Sequence, residues 1–460
     1  MSFPCGPSPW ESGPLGPRSV PHRYGCFSPR GSASDSWSVA AAKPWQPWTH
    51  SAITRSDQLQ ETTLKATDYS PLLASFAEQD QIFSSALGIL REAIAQRAFP
   101  AASIAVTHKG NLVALKSLGN FTYSQKLGSA TRSARQGGDF EFPDLTTATL
   151  FDLASLTKPV ATTTMALLLH QVGLLELDAP IHGTVPEFVR HSDPRRRDVT
   201  FRMLLAHSSG LPAYEKLFLK ARTREDLLHA AFSTPLTADP GARAEYSDIG
   251  FIILGVALEH IAQESLDAFC QREIFDPLAM THTTFNPPTS QRSQIPPTAD
   301  ERVAAVAAAP PDKSRSTFRN RIIQGEVQDE NASVMGGVAG HAGLFSTPED
   351  LARLAHAILQ GGNPILRPET IALFTQRQST PAGTTRTLGW DTPSPPSQSG
   401  KYFGPRSFGH LGYTGTSLWI DPDRQLSITL LTNRTWPDCS EQVIKQVRPR
   451  FHDAVIAALE

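Results

Sequence analysis

Ser155 and Lys158 stand three residues apart at the head of the apolar stretch FDLASLTKPVATTTMALLL, residues 151–169. An apolar helix keeps lysine at its ends or on a wet face, so a lysine beside a serine here asks for a chemical reason. A serine Oγ attacks a carbonyl poorly while it keeps its proton, and needs a neighbouring base. Positions i and i+3 share a helix face, which brings the Lys158 amine within reach of the Ser155 oxygen. A desolvated lysine has its charged form disfavoured and can serve as that base. The start of the helix adds backbone N–H groups and the positive end of its dipole where an oxyanion would form. Taken alone the spacing is a weak signal, because three-residue coincidences are common.

The elements that must hold this pair follow from periodicity. In DQIFSSALGILREAIAQRAFP, residues Phe83, Leu87, Leu90 and Ile94 recur at helical spacing. AASIAVTHKGNLVALKSLG alternates apolar and polar residues around Lys109-Gly110 and predicts a β-hairpin. The helix carrying Ser155 stops at Gly173, a position that favours glycine. From there to about residue 285 the pattern is mostly helical, in TFRMLLAH, REDLLHAAF and DIGFIILGVALEHIAQESLDAFCQREIF. Residues 286–330 are Pro-rich and read as a long loop. TPEDLARLAHAIL reads as a helix with Thr347 as N-cap and Asp350 at the third helical position. SFGHLGYTGTSLWIDP and LSITLLTN read as strands, and CSEQVIKQVRPRFHDAVIAAL as a closing helix. The expected class is α/β (α+β): an antiparallel sheet flanked by helices, with a mostly helical domain inserted. Sheet residues come from about 80–150 and 335–460, and the helical part from about 160–330. Residues 1–65, dominated by Pro, Gly, Ser and Trp, read as a disordered tail or the product of a start assigned too far upstream, ahead of a domain over 66–460.

Bulk properties exclude several function classes. With 42 basic against 44 acidic residues the chain is nearly neutral, and nothing in it points to nucleic acid or an anionic membrane. Cys5, Cys26, Cys270 and Cys439 are scattered, with no C-x-x-C pair and no His partners at metal-ligand spacing, and read as ordinary thiols; the serine chemistry described above needs neither a metal nor an organic cofactor. No apolar run reaches the roughly eighteen residues a membrane span needs. The N-terminus as written lacks a basic start followed by an apolar core, which favours the cytoplasm.

Two further motifs follow the Ser-Lys pair: EYSDIGFIILG, with Tyr246-Ser247-Asp248 before a helix, and FGHLGYTG, with His410-Leu411-Gly412 on an edge strand. Their order resembles that of the serine β-lactamase and penicillin-binding protein superfamily, in its class C branch. FPAASIAVTHKG, LFDLASLTK, LLAHSSGLPAY, GGVAGHAGLFST and GYTGTSLWIDP carry the resemblance from about residue 80 to the C-terminus. It implies a serine hydrolase in which Ser155 is acylated, Lys158 is the proton acceptor or electrostatic partner, and Tyr246 shuttles protons. It further implies that His410 fills the third-motif position and that the N–H groups of Ser155 and Tyr413 form the oxyanion hole, with Asp248 and Gly412 lining the site. Small esters, D-residue peptides and β-lactams are the substrates it suggests.

Two departures bear on the substrate. The family's second motif commonly ends in Asn, whereas Asp248 can only accept when ionised, repels anions and keeps Lys158 charged. The third-motif lysine is His410, mostly neutral near pH 7, so the fixed cation that would hold a β-lactam carboxylate is missing. A true β-lactamase and a non-catalytic sensor of cell-wall peptides are the competing possibilities. Other residues invite plain readings: Asp248 as helix N-cap, His207 and His341 as loop-shaping hydrogen-bonders, and RHSDPRRRD (190–198) as a solvated turn. Asp329, Glu330 and Asn331, at the end of the long loop, stand as candidates for the cleft edge.

Overall fold

The computed structural model describes residues 70–123, 142–190, 193–304, 318–394, 396–439 and 442–460; the tail expected over residues 1–65 lies outside them. The first strands are β1 (Leu73–Ala74), β2 (Ala101–His108) and β3 (Asn111–Gly119). Short strands follow: β4 (Phe151–Asp152), β5 (Thr284–Phe285), β6 (Ala299–Asp300), β7 (Ile322–Ile323) and β8 (Leu344–Ser346). The last are β9 (Phe408–Leu411), β10 (Ser417–Asp421) and β11 (Leu426–Thr432). The main sheet has the order β1-β3-β2-β11-β10-β9, so strands from both flanks of the described chain meet in its middle. All its pairings are antiparallel except β1 with β3.

Local chemistry accounts for these elements. Lys109 and Gly110 take φ of 49° and 83°, the left-handed pair that a two-residue hairpin turn requires. Strand β2 is buried from Ala101 to Thr107 rather than on alternate residues, because helices cover both faces of the sheet. Helices α1 (Ser84–Ala95) and α5 (Ile444–Ala457) pack together over Ala102, Ile104 and Val106. On the opposite face lies α4 (Pro348–Leu359), whose Ala352 meets Ala105. Between the sheet-forming segments, α2 (Thr164–Gln171) and α3 (Asp248–Ala262) fill a largely helical core. Helix α3 is buried continuously from Ile249 to Leu258, as a helix apolar all round must be.

The structure departs from the expected elements at four places. Ser155 does not open an α-helix: it sits in a tight turn, Ala154–Leu156, followed by wide turns over Lys158–Thr163 before α2 begins. Pro159 has no N–H to give a regular helical ladder, and such wide turns gather at functional sites. The long apolar stretch from residue 248 breaks at Gln263, at φ 57°, into α3 and a second helical segment bent from it by 71°. Residues 286–330 are not wholly loop: β6 and β7 pair within them, in strands too short to leave a periodic signal. In the run expected to be solvated, Arg196 is buried and donates to the carbonyls of Phe188, Phe232 and Thr234. Among the described residues no single helix is long and apolar enough to cross a membrane.

Candidate active site

Strand β4 delivers the chain to a strained corner. Ala154 adopts φ 48°, a left-handed conformation that costs an L-residue about 1–2 kcal/mol, and this turn presents Ser155. Buried Asp152 holds it: one carboxylate oxygen accepts from the Ala154 N–H at 2.8 Å and the other from the Gln328 N–H at 2.7 Å. Burial pushes the Asp152 pKa up to about 6, against the pull of those two N–H groups. From the third motif, the Thr414 hydroxyl donates to the Asp152 carbonyl at 2.8 Å and the Thr416 hydroxyl to the Leu153 carbonyl at 2.9 Å.

Lys158, fully buried, donates to Ser155 Oγ and to the His341 carbonyl, each at 3.0 Å, and pairs with an Asp248 carboxylate oxygen at 2.6 Å. The His341 carbonyl reaches it because Gly340 abuts Gly255 of α3, where an added Cβ would lie 2.9 Å from the Gly340 Cα. Tyr246 donates its phenolic O–H to Ser155 Oγ at 2.8 Å. Its ring centroid lies 4.9 Å from Lys158 Nζ. Burial works to lower the Lys158 pKa, but the Asp248 carboxylate, through its charge and hydrogen bond and with smaller help from Tyr246, leaves it above its ordinary value. Burial raises the Tyr246 pKa, and the opposing attraction of Lys158 does not bring it back. At neutral pH the group is therefore an ammonium and a neutral phenol, both donating to one serine oxygen.

Asp248 is not the N-cap expected of it. Ser247 caps α3, accepting the Gly250 N–H at 3.0 Å and donating to the Pro212 carbonyl at 2.7 Å. Asp248 thereby becomes the first helical residue, its carboxylate left to the lysine.

The third motif closes the other side. His410 is buried, its ring 5.9 Å from that of Tyr246, and its Nδ1–H donates to the Leu411 carbonyl at 2.8 Å. Burial, then the charges of Lys158 and Arg386, push its pKa well below the ordinary value, so the imidazole is neutral. Gly412 has no alternative at its place, since a Cβ would run into Thr416 Oγ1 and the Leu153 carbonyl. Tyr413 follows with its side chain exposed, and the Arg434 guanidinium lies 4.6 Å from its ring centroid.

His207 supports Tyr246 from behind, at 4.7 Å between rings, and its Nδ1 accepts the Ser247 N–H at 3.0 Å. His341 Nε2 meets Asp329 at 2.8 Å. Asp329 caps Glu330–Val334, while buried Asn331 bridges the Phe218 N–H and the Glu215 carbonyl. These residues hold loops around the site through hydrogen bonds. Arg386 escaped sequence reasoning: its guanidinium lies 5.5 Å from the Tyr246 ring centroid and 3.3 Å from Asp391. Standing in a Thr-rich turn without periodicity, it left no signal. Asp152 was also missed, its partners being backbone groups, one of them far along the chain.

An antiparallel sheet between helical layers, with this corner at its edge, defines the β-lactamase/transpeptidase-like fold. The chain belongs to the Beta-lactamase family, whose model matches residues 87–446, and members of that superfamily are serine hydrolases. A protein of Escherichia coli (strain K12), provisionally named D-alanyl-D-alanine carboxypeptidase, is 33% identical over 311 residues, 63% of this chain and 70% of that protein. Its counterpart of the same provisional name in Salmonella agona (strain SL483) is 31% identical over 361 residues, 73% of this chain and 79% of that protein. Among solved structures, EstCE1, described as a hydrolase with promiscuous acyltransferase activity, superposes with a TM-score of 0.63 at 20% identity, over 82% of this chain and all of its own. An octameric penicillin-binding protein homologue from Pyrococcus abyssi gives 0.57 at 20% identity, over 81% and 77%.

Proposed function

We propose that this protein is a class C-type serine hydrolase that cleaves an amide or ester bond through an acyl-enzyme on Ser155. The observation that carries this reading is the convergence of Lys158 Nζ and the Tyr246 hydroxyl on Ser155 Oγ, at 3.0 and 2.8 Å. Loss of one proton from the Lys158–Tyr246 pair supplies the base. Ser155 Oγ then attacks the carbonyl carbon and its proton passes to the pair. The tetrahedral oxyanion lies against the N–H groups of Ser155 and Tyr413. The pair next protonates the leaving amine or alcohol as its bond to the carbonyl carbon breaks, and water releases the acid by the reverse sequence. Peptides ending in D-alanine and small esters are the favoured substrates, the former supported by the names of the relatives and both compatible with the acyl transfer described for EstCE1. The neutral His410 weighs against β-lactams.

The test is intact mass after incubation with a D-alanyl peptide, a short-chain p-nitrophenyl ester and a chromogenic cephalosporin in parallel. An adduct that maps to Ser155, with turnover of the peptide or the ester, is the expected result. Absence of any adduct or turnover with all three would sink the proposal.

A pH dependence follows from the raised pKa values of Lys158 and Tyr246. Because the resting pair holds its protons past neutrality, kcat/KM rises with pH on an alkaline limb. Asp248→Asn removes the largest influence that raises Lys158 and leaves burial, which lowers it, so the limb moves to lower pH. The same change removes stability at pH 7: a lysine pKa raised on folding stabilises below its unfolded value, and that contribution disappears once the folded group titrates. A kcat/KM profile of the variant that coincides with the wild type, limb included, would contradict this.

A further inference from the structure

The carbonyl of Gly412 and the N–H of Tyr413 belong to one peptide group, and under the proposed function that N–H faces the oxyanion. Behind it, α5 places Arg448, only 4% exposed. Its Nη2 donates to the Gly412 carbonyl and to the Thr416 carbonyl, each at 2.7 Å, and its Nη1 to Gln398 Oε1 at 2.8 Å. Its Nε is buried with no partner among the described residues. All three acceptors are neutral, and the charge that acts on it most is another cation, Arg434. Burial, and then Arg434, pull its pKa down to about 9.

A guanidinium buried with no counter-ion among the described residues is expensive. Its position suggests what the charge is for. A cation bonded to an amide oxygen draws electron density from the nitrogen and makes the N–H of the same peptide a stronger donor. Arg434 treats the next peptide alike, its Nε donating to the Tyr413 carbonyl at 2.8 Å. We propose that Arg448 is a positioning residue that polarises the Gly412–Tyr413 peptide and aims its N–H at the oxyanion. This rests on the oxyanion role proposed above for Tyr413.

The test compares Arg448→Met, which keeps bulk without charge, with Arg448→Lys, which keeps the charge. Three quantities are read: the rate of Ser155 acylation by p-nitrophenyl acetate, the inhibition constant of phenylboronic acid, which forms a tetrahedral anion on a serine nucleophile, and the unfolding temperature. The methionine variant is expected to acylate about 10- to 100-fold more slowly, somewhat less than the loss of a whole oxyanion donor. Boronate binding should weaken by a similar factor, beyond what any fall in unfolding temperature from leaving the Gly412 carbonyl and Gln398 Oε1 without this donor accounts for. Arg448→Lys should recover most of both losses.

Unchanged acylation in a folded methionine variant would overturn the inference. So would a fall in acylation that tracks a fall in unfolding temperature and is not rescued by lysine, since that marks packing alone. Should the methionine variant not fold, Arg448→Gln, neutral but able to donate, takes its place in the comparison. A wild-type protein that takes no acyl group on Ser155 would instead bring down the proposed function, and this inference with it.

Discussion

Replacement of Ser155 by alanine is expected to abolish the covalent adduct with every acyl donor and to reduce turnover by at least about 10⁴-fold. The fold should survive. Lys158 loses one acceptor but keeps the Asp248 carboxylate at 2.6 Å and the His341 carbonyl at 3.0 Å, so the buried ammonium is not left uncompensated. The turn itself is held by Asp152, Thr414 and Thr416 through groups the substitution does not touch. Mass spectrometry of the variant beside the wild type, with matched thermal unfolding, reads the result. An adduct that persists on a folded Ser155→Ala protein would place the nucleophile elsewhere.

Tyr246→Phe is expected to lower kcat and kcat/KM together by about 10²- to 10⁴-fold, the range for loss of a general acid–base group. The change removes one oxygen and leaves the ring between His207, 4.7 Å away, and Lys158, 4.9 Å from the centroid. Ser155 Oγ still accepts from Lys158, so orientation of the nucleophile is kept while the proton path through the phenol is cut. Single-turnover kinetics would locate the loss in acylation, in deacylation or in both. A phenylalanine variant within about threefold of the wild type, well short of the range for an acid–base group, would leave Lys158 as the whole of the acid–base machinery.

Much of this arrangement was legible in the chain because it rests on residue type and short-range spacing. The Lys109-Gly110 turn, the helix around Leu87 and Leu90, and the Thr347 cap, which accepts the Asp350 N–H, are all set by neighbours in sequence. What was not legible depends on distant backbone. Asp248 reads as a cap by local rules, and only the position of Lys158, far earlier in the chain, shows why Ser247 does the capping instead. The expected helix at Ser155 failed because Ala154 and Pro159 together break regular geometry, which apolar periodicity does not register. Arg386 reaches the Tyr246 ring and Arg448 three uncharged oxygens, partners no spacing rule links, and although Asp152 takes the Ala154 N–H two residues on, a local Asx pattern, its second partner, the Gln328 N–H, lies far along the chain.

The sheet order has a consequence for how the molecule is made. Thr107 of β2 touches Ser427 of β11 across 320 residues of sequence, and contacts so distant close slowly, since the loop entropy must be overcome before they form. A chain synthesised as far as α4 already carries Ser155, Lys158 and Tyr246. It lacks the two threonine hydroxyls that hold the nucleophile corner, the Gly412–Tyr413 peptide, and the arginine behind it. Under the proposed function, a polypeptide stalled before residue 408 would hold Ser155, Lys158 and Tyr246 without the strand that completes the site, and reactivity would wait until the last strands are in register.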